Sequence, residues 1–428
     1  MIGVAFVVLI VLMLLSIPIG ASLMGLAMFL SETYSRFPLH RALGEVLWSA
    51  SDSFLLIAIP LFILLGEILV RSGVARMTYG ALEAWLSWLP GGLLHANIGT
   101  ATFFSATSGS SVATAATVGT VAMPQARALG YDERLFAGSI AAGGTLGIMI
   151  PPSINLIVYG FMTETSIPRL FVAGIVPGTL LALMFIAGTA LLCTWKPHWG
   201  GPIRHHSWRE RGLGLLQLIP MFGLFGLIIG SIYTGWATPT EAAAIGVVAA
   251  LAIAKATRTL NFKMLNAAIL GTMRTTAMIM LIIVSAYFLN FVLSAVGATQ
   301  ALAHLVAESG LGTLATMLLI VLIYIILGFF IETLSLMVIT IPVIAPVVVS
   351  LGYDPIWFGI LLILLIEMAL ITPPVGLNLY VVQGVRGRGA FSDVVMGAIP
   401  YATIMLLMAG LLIAFPSIAL FLPNAMNG

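Results

Sequence analysis

Charged residues are scarce in this 428-residue chain: Asp, Glu, Lys and Arg together account for 7% of it, while hydrophobic residues account for 61%. A chain with so few charges cannot cover a folded globule with a water-compatible surface, which excludes an ordinary soluble domain. Lipid is therefore the expected solvent. The composition predicts an all-α polytopic membrane protein.

Cysteine is almost absent, and this limits the chemistry further. The single cysteine, Cys193, can form no intramolecular disulfide and leaves no thiolate cluster for a metal. The six histidines lack metal-ligand spacing within a helix, and neither an HExxH motif nor a pair of intramembrane aspartates is evident. Basic residues are scattered over short loops without interleaved aromatics, so no nucleic-acid partner is expected. We therefore expect no catalytic residues, no organic cofactor and no enzyme activity.

Long apolar runs are what the chain does have. Those of membrane-spanning length lie near residues 48–70, 135–165, 170–194, 213–233, 238–256, 276–296, 356–384 and 394–421. The run from 3 to 31 is interrupted at Pro18 and is either one long helix or two short ones. Two further apolar regions, 92–125 and 311–349, have polar or small residues at their centres, which predicts re-entrant helical hairpins.

Two shorter segments precede these hairpins. Residues 74–89 and 298–308 mix apolar and polar residues at helical spacing. This pattern predicts arm helices that lie at the membrane interface, and ordinary loops with one helical turn are the alternative.

The sequence also contains an internal repeat. At an offset of 222 residues, GYDERLF at 130–136 falls on GYDPIWF at 352–358, and Pro151-Pro152 falls on Pro373-Pro374. The same comparison, at an offset of 221, matches the proline of the N-terminal run with a later proline and favours two helices there. The two halves are therefore related copies.

The copies are predicted to span 1–195 and 213–428, joined by a polar linker at 196–212. Each would contain scaffold helices, an arm, a hairpin and a broken helix. Five crossings per copy is an odd number, so the second copy must enter the membrane upside down, giving an inverted repeat. The basic residues of the linker place it in the cytoplasm, and both termini would then face the periplasm.

Each copy carries a Pro-Pro pair inside a spanning segment. Proline has no N–H to donate and disfavours helix at the preceding residue, so carbonyls of the preceding turn lose their partners. In hydrocarbon, freed carbonyls together with Ser and Thr hydroxyls suit a hard monovalent cation. We predict one Na⁺ site per copy, and sodium as the only metal. The predicted ligands are Ser105, Ser108, Ser110, Gly147, Ile150 and Pro152 in the first copy, and Thr333, Ala369, Thr372, Pro374 and Gly376 in the second.

Half-helix N-termini at the hairpin tips and after the Pro-Pro pairs carry positive dipole ends. Such ends can receive a carboxylate without a buried arginine, and no Lys or Arg lies at these tips. An anionic substrate is therefore predicted. Its predicted binding residues are Gly109, Ser111, Ser153, Asn155, Glu332 and Asn378.

Three further glutamates need separate interpretation. Thr238-Pro239-Thr240-Glu241 has the pattern of a capping box, so Glu241 is predicted to cap a helix. Glu67 and Glu367 lie nearer the spanning cores and are candidates for function, although either could equally bond a neighbouring helix.

The hairpin and Pro-Pro motifs resemble those of a known family. SATSGSSVATAATVGTVAMP (105–124), GGTLGIMIPPSINLIVYG (143–160), Glu332-Thr333 and ITPPVGLNLYV (371–381) are similar to the large membrane subunit of tripartite ATP-independent periplasmic (TRAP) transporters. The resemblance extends over essentially the whole chain.

This resemblance implies the fold of the ion transporter superfamily, in which the two hairpins and two broken helices form a transport domain that moves as an elevator against a scaffold. It implies uptake of an organic acid across the bacterial inner membrane, driven by two or more Na⁺ ions. The implied partners are a small four-helix membrane subunit, expected as a separate polypeptide, and a periplasmic substrate-binding protein.

The identity of the carboxylate stays open, because in this family the binding protein sets most of the selectivity. A C4-dicarboxylate, sialic acid and other acids are all compatible. A Na⁺/dicarboxylate symporter of the same superfamily that needs no binding protein is the alternative among transporters. A channel is the alternative outside them.

Overall fold

The fold is built from helices. The structure, a computed structural model, describes residues 1–202, 204–298, 300–301 and 310–426, and no strand occurs within those ranges. Their α-helices are α1 (Ile2–Leu14), α2 (Ile19–Tyr34), α3 (Leu43–Ser51), α4 (Ala58–Arg71), α5 (Val74–Leu86), α6 (Leu93–Ser108), α7 (Ser111–Leu129), α8 (Glu133–Met149), α9 (Ile154–Thr163), α10 (Ile167–Trp195), α11 (Trp208–Tyr233), α12 (Pro239–Ala256), α13 (Phe262–Ala295), α14 (Thr313–Gly328), α15 (Thr333–Ser350), α16 (Pro355–Ala369), α17 (Leu377–Arg386), α18 (Phe391–Ala414) and α19 (Ser417–Ala425). Short 3₁₀ turns lie at Leu39–Ala42, Phe54–Ile57 and Pro197–Trp199.

The chain is an all-α polytopic membrane protein, as predicted. Within the described residues, seven helices are long and apolar enough to cross a membrane, or eight if α8 and α9 form one span bent by 42°. The N-terminal run forms two helices, α1 and α2, on either side of Pro18. Both predicted hairpins form, as α6–α7 and α14–α15, and both Pro-Pro segments interrupt their helices.

Two predicted spans are divided where continuous helices are expected. The span at 48–70 breaks at Asp52, between α3 and α4. A short polar side chain there offers the backbone alternatives to helical hydrogen bonds. The span at 394–421 breaks after Ala414, because Pro416 has no N–H and disfavours helix at the residue before it.

The first predicted arm is helical over most of its length, as α5, which packs against α6 and α11. The second predicted arm, 298–308, lies largely outside the described residues.

Equivalent elements of the two copies begin with the same kind of cap. Asp132 accepts a hydrogen bond from a backbone N–H in the first turn of α8, and Asp354, 222 residues later, does so for α16. The predicted capping box is also confirmed, since the Glu241 carboxylate accepts from the backbone N–H of Thr238 at the start of α12.

Glycines allow the first copy to contact the second closely. A Cβ built on Gly138 of α8 would lie 2.0 Å from the carbonyl oxygen of Gly397 in α18. A Cβ built on Gly397 would lie 1.9 Å from the carbonyl oxygen of Arg134. Only glycine fits such a backbone-to-backbone contact between membrane helices.

An ion-pair network holds the same helices at one end. Arg386, at the end of α17, donates to Glu133 of α8 at 2.8 Å and to Asp393 of α18 at 3.2 Å. Arg134 pairs with Asp393 at 2.9 Å, and Arg388 also pairs with Glu133. The Arg386 side chain is only 7% exposed, so its charge is buried with two partners. The start of α8 is thereby held against both copies.

Candidate functional site

A cavity of about 250 Å³ lies where the two hairpin tips meet the broken helices. The hairpin tips and the breaks form one side of it, and α4 and α13 form the other. No Lys, Arg or His among the described residues lines it. The predicted site residues that line it are Ser108, Gly109, Ser110, Ser111, Asn155, Glu332 and Thr333.

The tip of the first hairpin presents hydrogen-bond donors to the cavity. Gly109 adopts a left-handed conformation (φ 64°) that reverses the chain after α6. Ser110 caps α7, and its hydroxyl accepts from the N–H of Ala113. Within the described part of the chain, no hydrogen bond occupies the N–H groups of Ser111 and Val112. The positive end of α7 is therefore open to the cavity.

Asn155 supplies a donor from a second element. Its side chain is 2% exposed and lines the cavity, and its Nδ2 has no partner among the described residues. It lies in the first turn of α9, where Ser153 is the N-cap and accepts from the N–H of Leu156. A Cβ built on Gly109 would lie 2.6 Å from Cδ1 of Ile154, so the two tips are in contact. The starts of α7 and α9 thus form one donor-rich end of the cavity.

The tip of the second hairpin is built differently. The Glu332 carboxylate accepts from the N–H groups of Leu334 at 3.2 Å and Ser335 at 3.1 Å. It also accepts from the hydroxyls of Thr333 at 2.9 Å and Ser335 at 3.0 Å. Four donors fill the acceptor positions of a carboxylate. The helix start that the sequence predicts for the substrate's carboxylate therefore holds the chain's own carboxylate, because an N-cap glutamate reaches the same N–H groups.

Residues of α4 and α13 complete the cavity. Glu67 lines it and forms an ion pair with Arg71, one turn further along α4. Gly271 of α13 lies against this carboxylate, since a Cβ built there would be 2.6 Å from Glu67 Oε2. Thr275 and Met278 of α13 also line the cavity. The sequence marks Glu67 as a candidate but not Thr275. The only signal for that face is the helical spacing of Gly271, Thr275 and Met278.

The first predicted sodium site lies around the break between α8 and α9. Pro151 and Pro152 cannot donate to the carbonyls of Gly147 and Ile148, one turn earlier. Gly147 lies against the first hairpin, and a Cβ built on it would be 2.4 Å from Cβ of Ser105. The Ser105 hydroxyl is buried and has no partner among the described residues. Freed carbonyls and an unpartnered hydroxyl are the donors that a sodium ion requires.

The remaining predicted ligands of this site already have partners. The hydroxyl of Ser108 is 2.9 Å from that of Thr114, and Ser110 caps α7. Ile150 packs against Gly178 of α10, where a built Cβ would lie 2.5 Å from its Cγ1. Pro152 is buried within the break.

The second predicted sodium site, at the break between α16 and α17, is less open. The carbonyl of Ala369 accepts from the N–H of Thr372 at 3.3 Å, and that of Leu370 accepts from the N–H of Asn378 at 3.1 Å. The Thr372 hydroxyl donates to the carbonyl of Met368 at 2.7 Å. The carbonyls that the Pro-Pro pair frees have thus found partners within the protein.

The other predicted ligands of the second site are spread around the break. Pro374 is exposed, whereas Gly376 is buried and adopts a left-handed conformation (φ 58°) before α17. Thr333 lies at the hairpin tip, where its hydroxyl donates to Glu332. The two breaks therefore differ in how ready they are for an ion.

A buried carboxylate joins the first hairpin to the second broken helix. Glu367 is 0% exposed, accepts from the Ser111 hydroxyl, and has one oxygen, Oε1, without a partner among the described residues. Asn378 lies away from the cavity, and its Nδ2 donates to the carbonyl of Ala141 at 3.1 Å. Ser111 therefore offers the cavity its backbone N–H while its hydroxyl binds Glu367.

Comparison with known proteins gives a consistent result. Residues 6–418 match the family described as "Tripartite ATP-independent periplasmic transporter, DctM component". The chain is 35% identical over 390 residues to the C4-dicarboxylate TRAP transporter large permease protein DctM of Pseudomonas aeruginosa, covering 90% of each chain. It is 31% identical over 421 residues to the sialic acid TRAP transporter large permease protein SiaM of Vibrio cholerae, covering 96% of each.

Among solved structures, the YdaH transporter of Alcanivorax borkumensis is similar, with a TM-score of 0.62 over 94% of this chain and 98% of that one. The sequence identity is 17%, so this likeness concerns the fold alone.

Proposed function

Because the chain belongs to the family of the DctM component of tripartite ATP-independent periplasmic transporters, we propose that it carries an organic acid into the bacterial cell, coupled to sodium. The relatives named for C4-dicarboxylates and for sialic acid are permease subunits rather than enzymes. Both substrates are organic acids, which supports this substrate class.

The observation that carries the proposal is the juxtaposition of two kinds of polar group in one place. The starts of α7 and α9 offer unpaired N–H groups, which suit an anion. Directly behind them, Gly147 and Ser105 offer unpaired oxygens, which suit a cation. An anion and a cation bound this close stabilise each other in a low-dielectric interior, so each raises the affinity for the other.

Sodium binding would order the hairpin tips before the acid binds. The break between α8 and α9 is the better prepared of the two sites, because its freed carbonyls have no partner among the described residues. At the second break an ion would replace the hydrogen bonds that now occupy Ala369 and Leu370. Two ions, one per copy, would neutralise the charge of the acid and supply the coupling.

The position of the cavity supports an elevator movement. One wall belongs to the hairpins and broken helices, and the other belongs to α4 and α13. Sliding of the first group against the second would carry the bound acid from one side of the membrane to the other. We place the linker at 196–212 in the cytoplasm and both termini in the periplasm, so the membrane is the bacterial inner membrane.

The partners follow from the same family. A separate small membrane subunit would complete the scaffold, and a periplasmic binding protein would deliver the acid. The alternative symporter would take up the acid without this delivery.

The test is uptake into proteoliposomes that contain this chain and the small subunit, with the binding protein added outside. The substrate is the acid that best stabilises the binding protein in a thermal-shift screen. We expect uptake that requires an inward Na⁺ gradient and the binding protein. Undiminished uptake with K⁺ replacing Na⁺ on both sides would remove the sodium coupling. Equal uptake without the binding protein would favour the symporter, and a steady current without the acid would favour a channel.

A further inference from the structure

We propose that the cavity selects organic acids with a single carboxylate and with hydroxyl or ammonium groups at the other end, and that it discriminates against dicarboxylates. This inference rests on the proposed function and adds the class of acid. It follows from the unequal ends of the cavity.

One end can bind a carboxylate. It contains the free N–H groups of Ser111 and Val112 at the start of α7. It also contains the unpartnered Nδ2 of Asn155, whose side chain is 2% exposed and comes from a different helix. A buried donor without a partner is unfavourable, and a carboxylate oxygen would satisfy it. Three donors from two helices can hold both oxygens of one carboxylate.

The other end is acidic. Glu332 keeps its negative charge there although its four acceptor positions are filled from within the second hairpin. Glu67 faces the same cavity from α4, and no described basic residue lines the cavity to offset the two charges. Arg71 pairs with Glu67 from outside the lining. A second carboxylate at this end would meet two like charges, which is strongly unfavourable when water is excluded.

Sodium does not remove this asymmetry. An ion at the second predicted site, which includes Thr333 next to Glu332, would offset one negative charge and leave the other. Hydrogen-bond donors on the substrate suit the remaining acceptors. Oε1 of Glu67 has no hydrogen bond within the described residues, and the hydroxyl of Thr275 lies on the same side of the cavity. A hydroxyl or ammonium group can donate to both.

The experiment measures binding to the complex of this chain with its small subunit in lipid nanodiscs, at saturating NaCl. The binding protein is left out because its own selectivity would mask that of the cavity. The probes are glycerate, β-alanine and succinate, which are similar in size. We expect glycerate or β-alanine to bind at least about tenfold more tightly than succinate, the effect of one unfavourable charge contact.

Charge-neutral variants locate the source of the preference. In Glu332→Gln and in Glu67→Gln, the succinate affinity should rise relative to the glycerate affinity by about tenfold. Glu45→Gln is the matched control, because Glu45 is exposed on α3 and does not line the cavity. The ratio compares two probes on one protein, so a loss of stability alone does not change it.

Succinate binding as tight as that of the better monocarboxylate would overturn the inference, as would a ratio unchanged in both cavity variants or no binding of either monocarboxylate. These failures are separate from failure of the proposed function. Sodium-dependent uptake of a dicarboxylate would leave the transporter proposal standing and remove the selectivity. A preference for glycerate that is indifferent to sodium would do the reverse.

Discussion

At the scale of single residues, Ser105 connects the packing of the first hairpin to ion binding. Its hydroxyl is buried beside Gly147 and has no partner among the described residues. We expect Ser105→Ala to raise the half-saturating Na⁺ concentration for uptake about tenfold, since one neutral oxygen ligand contributes about 1 to 1.5 kcal/mol. The measurement is initial uptake against external Na⁺ at fixed acid concentration.

The control for this variant lies on the same helix. Thr107 is also buried, but its hydroxyl donates to the carbonyls of Phe103 and Phe104 within α6. Thr107→Val should leave the sodium dependence unchanged. Equal sodium dependence in the Ser105 variant and the wild type would exclude this hydroxyl from the site.

Single residues also show where local sequence stops being informative. The hydroxyl-rich tip at Ser110 and Ser111 is predictable because its residue types cap helices wherever they occur. Glu332 occupies the matching place in the second copy, and its residue type alone does not say whether the carboxylate faces the cavity or turns back onto its own helix. That choice depends on the geometry of the hairpin, which places the N–H groups of Leu334 and Ser335 within reach.

At the scale of elements, the crossing of α8 and α18 depends on glycine. The backbone of α8 lies where a Cβ on Gly397 would be, at 1.9 Å from the nearest atom. Gly397→Ala must therefore push the helices apart, and we expect it to destabilise the protein by about 1 to 3 kcal/mol. The measurement is the apparent melting temperature in detergent, which should fall by several degrees.

The same helix supplies the control. Gly410 lies in α18 with no atom within 4 Å of a built Cβ. Gly410→Ala should leave the melting temperature unchanged or raise it, because alanine favours helix over glycine. If both variants behaved alike, the close crossing would not be a source of stability.

Most element boundaries follow from residues whose effect is local. Pro18 and the two Pro-Pro pairs each interrupt a helix because proline lacks the donor that the helix needs. The start of α13 does not follow from hydropathy in this way. The apolar run begins near 276, yet the helix begins at Phe262, because Asn261 caps it by accepting from the N–H of Met264.

At the scale of the whole molecule, the internal repeat makes the fold predictable and the site only partly so. Two copies with matching hairpins and breaks must bring their tips together if they share a cavity, and the tips do line one cavity. The opposite wall comes from α4 and α13, which carry no motif. Glu67 and Thr275 meet there only because the helices pack side by side, and no spacing in the sequence encodes that contact.

The elevator movement gives a prediction at this scale. The rings of Phe161 in α9 and Tyr287 in α13 lie 5.3 Å apart, on opposite sides of the proposed sliding boundary. In a Cys193→Ala background, we expect Phe161→Cys with Tyr287→Cys to be cross-linked by a short bismaleimide and to lose nearly all uptake. Each single variant treated with the reagent should keep its activity.

A second cysteine pair separates blocked movement from damage by the reagent. A Cβ built on Gly119 in α7 would lie 3.3 Å from Cγ1 of Val385 in α17, and both helices belong to the group that is proposed to move. Cross-linking Gly119→Cys to Val385→Cys should leave uptake largely intact, because these residues travel together. Undiminished uptake by the cross-linked pair at 161 and 287 would show that α9 and α13 keep their contact throughout transport. The boundary between moving and fixed helices would then have to be drawn elsewhere.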